Sequence, residues 1–232
     1  MLDDRQSTSA DCCGAPERDP RIATHFDSLT RQRTAGGAIP PMQPVSAGLF
    51  EELRDAATLH PTVLELGCGS GGLGVALLEV GASRYDGIDL SPESLATARK
   101  RAEAAGVMDR ASFTLGDGAR VEVATHDWVV LDRVICCYPD VDALLGNALP
   151  AATRRFAFTV PTSRGLRGVL NRFWWGLERG WTRFQKGTCP GYVHSLDKIE
   201  GRLAEAGFRL LRKHGGLMWY TAVWEKPGVA EA

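Results

Sequence analysis

An apolar run that ends in a carboxylate leads directly into a glycine-rich turn at residues 63–72 (VLELGCGSGG). Because glycine has no Cβ and tolerates positive φ, such a turn lets the backbone pass close to a ligand. A second apolar run, residues 85–89, ends in Asp89. A carboxylate about 20 residues beyond a glycine turn is well placed to bind ribose hydroxyls. The pattern predicts a strand, a turn and a helix that together hold a nucleoside cofactor.

Strand-like and helix-like segments alternate from Pro61 onward, which predicts βαβ units and an α/β fold. The expected architecture is a Rossmann-like, doubly wound sheet of seven strands, mostly parallel. The pair Gly215-Gly216 favours a tight reversal, so the last strand is expected to be antiparallel. The predicted strands are 62–66, 84–89, 111–115, 128–131, 155–160, 208–213 and 218–225, and the predicted helices among them are 71–80, 92–105, 141–149 and 196–206.

Three regions are predicted along the chain. Residues 1–20 are polar and are expected to form a flexible N-terminus. Residues 21–60 read as a helical cap, with helices at 21–34 and 46–59 and Ser46 as the cap of the second. Residues 61–232 form the main domain.

An amphipathic helical insertion at residues 161–192 separates strands five and six. It carries five Arg and one Lys against one Glu. Its apolar residues recur at helical spacing, namely Leu166, Leu170, Phe173, Leu177, Trp181 and Phe184. Three interpretations stay open: a lid whose arginines pair with an acidic substrate, a packed helix pair with a solvated basic face, or a surface that touches a membrane.

Composition restricts the partners. The net charge of −1 over 232 residues gives no general attraction to nucleic acid, and at most peripheral membrane contact is expected. No apolar run approaches the roughly 20 residues of a membrane helix, and the first residues lack a signal-peptide core, so a cytoplasmic protein is predicted. The oligomeric state is left open.

Six cysteines occur without the Cys-x-x-Cys spacing of a zinc site, so free thiols and no metal are expected. The positions are Cys12, Cys13, Cys68, Cys136, Cys137 and Cys189. A soft metal or metalloid held by the adjacent pairs is the alternative.

The glycine turn admits more than one nucleotide. A Walker-type phosphate loop is excluded because no Gly-Lys-Ser/Thr follows the turn. The dinucleotide fingerprint G-x-G-x-x-G is satisfied by Gly67, Gly69 and Gly72. However, Glu65 directly before the turn would repel a pyrophosphate, whereas it would attract a cationic amino-acid tail.

These residues resemble the class I S-adenosylmethionine-dependent methyltransferases, whose signature is an acidic residue followed by Gly-x-Gly-x-Gly. Here the signature reads Glu65, Gly67, Gly69 and Gly71, and later acidic positions of the family match Asp89 and Asp117. The resemblance implies S-adenosylmethionine as cofactor, with Glu65 near its methionine portion, Asp89 on the ribose and Asp117 on the adenine amino group. Leu90, Gly118 and Asp132 are assigned to the same site.

The C-terminal half is similar to the magnesium-protoporphyrin O-methyltransferase branch of that family. The matching pieces are Leu131-Asp132, Tyr138-Pro139, residues 158–161, residues 192–194 and residues 218–220. That branch has a histidine where this chain has Cys137. The resemblance implies a porphyrin-like or other apolar acidic acceptor, and it makes Tyr138 and His194 the candidate catalytic residues.

The sequence therefore predicts a methyltransferase that acts on a small molecule. Positioning of the nucleophile in line with the methyl group provides much of the acceleration, and a base is needed only when the nucleophile arrives protonated. Two alternatives stay open: a non-catalytic module that binds cofactor or a protein partner on the same fold, and a nicotinamide-dependent oxidoreductase.

Overall fold

The computed structural model describes residues 20–182 and 191–228. The predictions for the first nineteen residues, and those for Cys12, Cys13, Phe184 and Cys189, lie outside these ranges. So does the side chain of Trp181, although its backbone belongs to a helix.

Seven strands form one sheet in the order β3-β2-β1-β4-β5-β7-β6. The pairs among β1 to β5 are parallel, and β7 is antiparallel to both of its neighbours. The predicted mostly parallel sheet with an antiparallel last strand is therefore confirmed. The strands are β1 Thr62–Leu66, β2 Arg84–Asp89, β3 Ala111–Leu115, β4 His126–Asp132, β5 Ala152–Pro161, β6 Arg209–Gly215 and β7 Trp219–Glu225.

Helices cover both faces of the sheet, which makes it doubly wound as predicted. Their bounds are α1 Pro20–Arg33, α2 Pro44–Ala57, α3 Gly72–Glu79, α4 Pro92–Ala104, α5 Val141–Ala151, α6 Gly165–Thr182 and α7 Leu196–Glu205. Alternate side chains of β1 enter different cores, because successive residues of a strand point to opposite faces. Leu64 and Leu66 join the core beneath α5 and α7, while Val63 joins the core beneath α2, α3 and α4.

The helix ends follow from local chemistry, with one correction. The Ser91 hydroxyl accepts a hydrogen bond from the Ser94 amide and caps α4, as predicted. The prediction that Ser46 caps α2 is wrong. That helix begins two residues earlier at Pro44, since proline has no amide hydrogen and its fixed φ suits the first helical position. Ser46 is buried within the helix and its hydroxyl reaches the end of β4 instead.

Candidate active site

The glycine turn between β1 and α3 needs glycine for two separate reasons. Gly67, Gly69 and Gly71 have φ of 78°, 53° and 70°, a region that other residues seldom adopt. A Cβ on Gly67 would also lie 2.4 Å from Cγ2 of Val134, which follows β4. The turn therefore fits tightly against the end of the neighbouring strand, at the sheet edge where open α/β folds bind ligands.

Glu65 is a buried carboxyl with one strong hydrogen bond. The Tyr85 hydroxyl donates to Glu65 Oε2 at 2.7 Å. Burial raises the pKa of Glu65 to about 8; the Tyr85 bond opposes this rise, while the charges of Asp132 and Asp89 add to it. A cation entering the site would stabilise the ionised form of this carboxyl.

Asp89 ties the end of β2 to the glycine turn. Its Oδ2 accepts from the Gly69 amide at 2.7 Å and its Oδ1 accepts from the Ser91 amide at 2.8 Å. Burial raises the pKa of Asp89, against the opposing effect of these two amides. A carboxylate has about four lone-pair sites, so both oxygens keep accepting capacity for hydroxyl groups of a ligand.

Asp117 is occupied by the protein itself. Its Oδ1 accepts from the Tyr138 hydroxyl at 2.8 Å and from the Ala119 amide at 2.9 Å. Burial, with the nearby Asp117 carboxylate, raises the pKa of Tyr138. Tyr138 therefore stays a neutral donor that orients Asp117.

A polar network joins α2 to the end of β4. The Ser46 hydroxyl donates to Asp132 Oδ2 at 2.5 Å, while Arg133 donates to Ser46 Oγ at 3.1 Å and to Gln43 Oε1 at 2.9 Å. Arg133 holds a positive φ of 56°, which is uncommon outside glycine. Asp132 Oδ1 is buried without a hydrogen-bond partner, and such an orphaned oxygen is suited to receive a donor from a ligand.

Helix α1 lies across this site as a roof. Its Asp27 accepts from the Ser91 hydroxyl at 2.5 Å, and its Thr30 hydroxyl lies 2.9 Å from that of Ser94. Its apolar residues Ile22, Phe26 and Leu29 line the cavity below. At the end of the helix, burial and the charge of the nearby Arg133 lower the pKa of Arg33, which also lines the cavity.

The cavity has a volume of about 210 Å³. Most of the residues assigned to the site from sequence line it: Glu65, Gly67, Gly69, Asp89, Leu90, Gly118, Asp132 and Tyr138. Gly71, Asp117 and His194 are not among the lining residues. Gly71 instead packs behind the turn, where an added Cβ would lie 2.9 Å from that of Ala98.

His194 lies at a second cavity of about 240 Å³, together with Arg172, Trp175, Tyr192 and Val193. Its Nε2 lies 2.8 Å from the Tyr138 carbonyl oxygen, so the ring links the segment before α7 to the segment after β4. Burial lowers the pKa of His194, which favours the neutral imidazole. The catalytic roles of Tyr138 and His194 stay predictions.

The polar lining residues that were not identified from sequence include Arg33, Gln43, Ser46 and Arg133. Of these four, only Arg133 follows a strand of the sheet and could have been inferred from its place at the edge. The others come from α1 and from the start of α2, where no motif marks them.

Within the described ranges, the cysteine pair after β4 belongs to no group of side chains that could hold a metal ion. Cys136 is buried and Cys137 lines the cavity, both in one turn of 3₁₀ helix. Among residues 20–182 and 191–228, no three His, Cys, Asp or Glu side chains form a group that could hold a metal ion.

Comparison with known proteins identifies the part of the chain that contributes the glycine turn and Asp89 to the cavity. Residues 63–155 match the family described as methyltransferase domain, a range that runs from β1 into β5. This stretch of the chain is similar to a methyltransferase domain. The resemblance to the class I S-adenosylmethionine-dependent methyltransferases is thereby confirmed.

Curated relatives match the methyltransferase domain over part of their length. The ribosomal protein L11 methyltransferase of Aeromonas hydrophila is 46% identical over 72 residues, which is 31% of this chain and 25% of that protein. The protein of the same name from Yersinia pseudotuberculosis serotype IB is 31% identical over 127 residues, 55% of this chain and 40% of that protein. The chain thus spans a quarter to two fifths of these relatives.

Solved structures share the methyltransferase fold over most of the chain. Magnesium protoporphyrin IX methyltransferase from Synechocystis PCC 6803, with bound SAH, has a TM-score of 0.68 at 20% identity and covers 88% of this chain and 98% of that one. An O-methyltransferase family protein from Burkholderia thailandensis also has a TM-score of 0.68, at 17% identity, covering 88% of this chain and 62% of that one. At such identities the likeness establishes a common fold.

Proposed function

We propose that this protein transfers the methyl group of S-adenosylmethionine to a small, apolar acceptor that carries an acidic group. The observation that carries the proposal is the cavity at the end of β1, where the glycine turn, Asp89 and the buried carboxyls of Glu65 and Asp132 meet. The matching family and the magnesium protoporphyrin IX methyltransferase structure with bound SAH support this choice of cofactor.

The residues around the cavity fit the chemistry of this cofactor. Its amino-acid tail carries a positive ammonium and a negative carboxylate, and the cavity is lined by both carboxyl groups and arginine side chains. Glu65 and the unpartnered oxygen of Asp132 suit the ammonium, while Arg133 suits the carboxylate. Asp89 suits the ribose hydroxyls.

The reaction asks little proton chemistry of the protein. The bound cofactor supplies a methyl group on a positively charged sulfur, which is a good leaving group. The protein's task is to hold the acceptor in line with that methyl and to exclude water. A base, for which Tyr138 and His194 are the candidates, is required only when the acceptor is protonated. Both residues make hydrogen bonds within the protein, to Asp117 and to the Tyr138 carbonyl respectively, and these bonds favour roles in positioning.

The cavity wall supports a small acceptor rather than a protein side chain. The lining from α1 is apolar at Ile22, Phe26 and Leu29, and Cys137 also lines the cavity. Arg33, which lines the same cavity, suits an acidic group of the acceptor. A porphyrin-like acceptor is one member of this class, raised by the branch resemblance, and the expected location is the cytoplasm.

Calorimetric titration with the demethylated cofactor tests the site. Wild-type protein is expected to bind at micromolar concentration. Asp89→Asn should weaken binding about tenfold to a hundredfold, because a charged acceptor of ribose hydroxyls is lost. Asp109→Asn, at an exposed position outside the cavity, is the matched control and should bind as wild type. Absence of binding by the wild-type protein would contradict the proposed cofactor.

A radiolabelled methyl donor then tests turnover, with cell extract divided by size as the source of acceptors. Label in the small-molecule fraction supports the proposal, whereas label confined to protein would replace the acceptor class with a protein substrate. Cofactor binding without any labelled product would favour the non-catalytic module. A thermal shift with nicotinamide cofactors alone would favour the oxidoreductase.

A further inference from the structure

The insertion helix α6 turns its apolar side toward solvent. Six of its side chains are between 56% and 75% exposed: Leu166, Val169, Leu170, Phe173, Trp174 and Leu177. At about 100° per residue, these positions span an arc of about 140° on one side of the helix. Leu217 and Met218, in the turn before β7, are also exposed, at 70% and 45%.

The opposite side of α6 attaches the helix to the protein body. The Asn171 side chain is buried and donates to the backbone carbonyls of Thr162 and Met218 at 3.0 and 3.2 Å. A Cβ on Gly168 would lie 2.1 Å from the Ser163 carbonyl carbon, so the backbones approach closely there. One interpretation of the insertion was a helix pair whose apolar side packs against the protein. That interpretation is wrong for the exposed stripe, whose side chains are not part of the core.

Positive charge borders the stripe. In projection down the helix axis, Arg167 lies next to Trp174, just outside one edge of the arc. Arg172 lies next to Val169, just outside the other edge. Both arginines are exposed. Residues 161–192 contain five Arg and one Lys against one Glu, although the whole chain has a net charge of −1. Arg167 and Arg172 thus place positive charge at both edges of the exposed apolar stripe.

We propose that α6 docks the protein reversibly on an anionic lipid bilayer. An interfacial helix inserts an apolar face with aromatic residues into the headgroup boundary, while flanking cations meet anionic lipid headgroups. A second copy is the poorer occupant, because a two-fold pairing of this stripe would bring the arginines of both copies together. The inference does not depend on the identity of the methyl acceptor.

Vesicle co-sedimentation of the full chain tests the proposal. Vesicles of phosphatidylcholine with phosphatidylglycerol should retain the protein at low salt, and retention should fall as salt is added. The double variant Leu170→Gln/Phe173→Gln should lose at least about tenfold in partition, because two exposed apolar anchors are removed. The matched control Leu210→Gln/Leu211→Gln changes two exposed leucines on β6 and should partition as wild type.

Charge variants separate the two contributions. Arg167→Gln/Arg172→Gln should lower retention on anionic vesicles and leave the weak retention on pure phosphatidylcholine unchanged. Thermal unfolding of each variant verifies that its fold is retained. No retention of wild type on anionic vesicles, or equal losses in the α6 and β6 leucine variants, would overturn the proposal. So would a concentration-dependent dimer in light scattering that Leu170→Gln/Phe173→Gln abolishes without any vesicle binding.

Discussion

Replacing Glu65 by glutamine is expected to stabilise the protein increasingly as the pH rises. Glu65 is 3% exposed, and its burial raises its pKa from 4.5 to about 8 despite the hydrogen bond from Tyr85. Between these values the folded protein holds a proton that the unfolded chain has lost. The unfolding free energy of wild type therefore falls as the pH rises through this window, and it levels off above about pH 8.

The size of the effect follows from the displacement of the pKa. At about 1.4 kcal/mol for each pH unit, ionisation of Glu65 in the folded state costs roughly 5 kcal/mol as an upper bound. Glutamine does not ionise, and its amide oxygen can accept the hydrogen bond from Tyr85. Glu65→Gln should thus match wild type within about 1 kcal/mol near pH 5. It should exceed wild type by about 3–5 kcal/mol above pH 8.

Urea denaturation of both proteins between about pH 5 and pH 9 measures this difference. Contributions of the other titrating groups are common to both and largely cancel. The matched control Glu103→Gln changes an exposed glutamate on α4 and should give a difference that does not vary with pH. If the Glu65→Gln difference also stayed constant across the range, the reasoning that burial keeps this carboxyl protonated would be refuted.

Three further substitutions test the site and the packing behind it. Gly69→Ala should keep the fold but weaken binding of the demethylated cofactor at least about tenfold in calorimetry, because its Cβ meets no protein atom within 4 Å and stands beside the cavity. Gly106→Ala, with a similarly positive φ and equal space, is the control; equal affinities would argue against the turn as cofactor site. Tyr138→Phe should lower the unfolding free energy by about 1–3 kcal/mol, since a donor to Asp117 is lost. A loss in kcat with unchanged stability would instead mark Tyr138 as a base. Gly74→Ala should cost about 1–3 kcal/mol in urea denaturation, because its Cβ would lie 2.0 Å from a buried tyrosine ring. A variant as stable as wild type would contradict that packing.

The first three strands could be predicted to the residue because turn-forming residues border each apolar run. Thr62–Leu66, Arg84–Asp89 and Ala111–Leu115 all agree with the structure. The start of α2 was missed because two signals for a helix start, a proline and a serine, stand two residues apart, and the proline prevails.

The meeting of the glycine turn, Asp89 and Asp132 at one cavity could be predicted, because these residues follow strands whose ends share one sheet edge. Arg33 and Gln43 could not be predicted, since they reach the cavity through the packing of α1 and α2, which no periodicity encodes. The exposed stripe of α6 was also ambiguous. Helical spacing shows that Leu170 and Phe173 share a side, but it does not show whether that side faces the core or the solvent.

The roof formed by α1 has a consequence for the pace of turnover. Lifting of this 14-residue helix would separate Asp27 from Ser91 and Thr30 from Ser94. Such local opening has its own free energy and its own rate, independent of the affinity of the cavity. If ligand exchange in the proposed reaction passes through this opening, the opening rate of α1 sets the upper limit on turnover, however fast the methyl group moves.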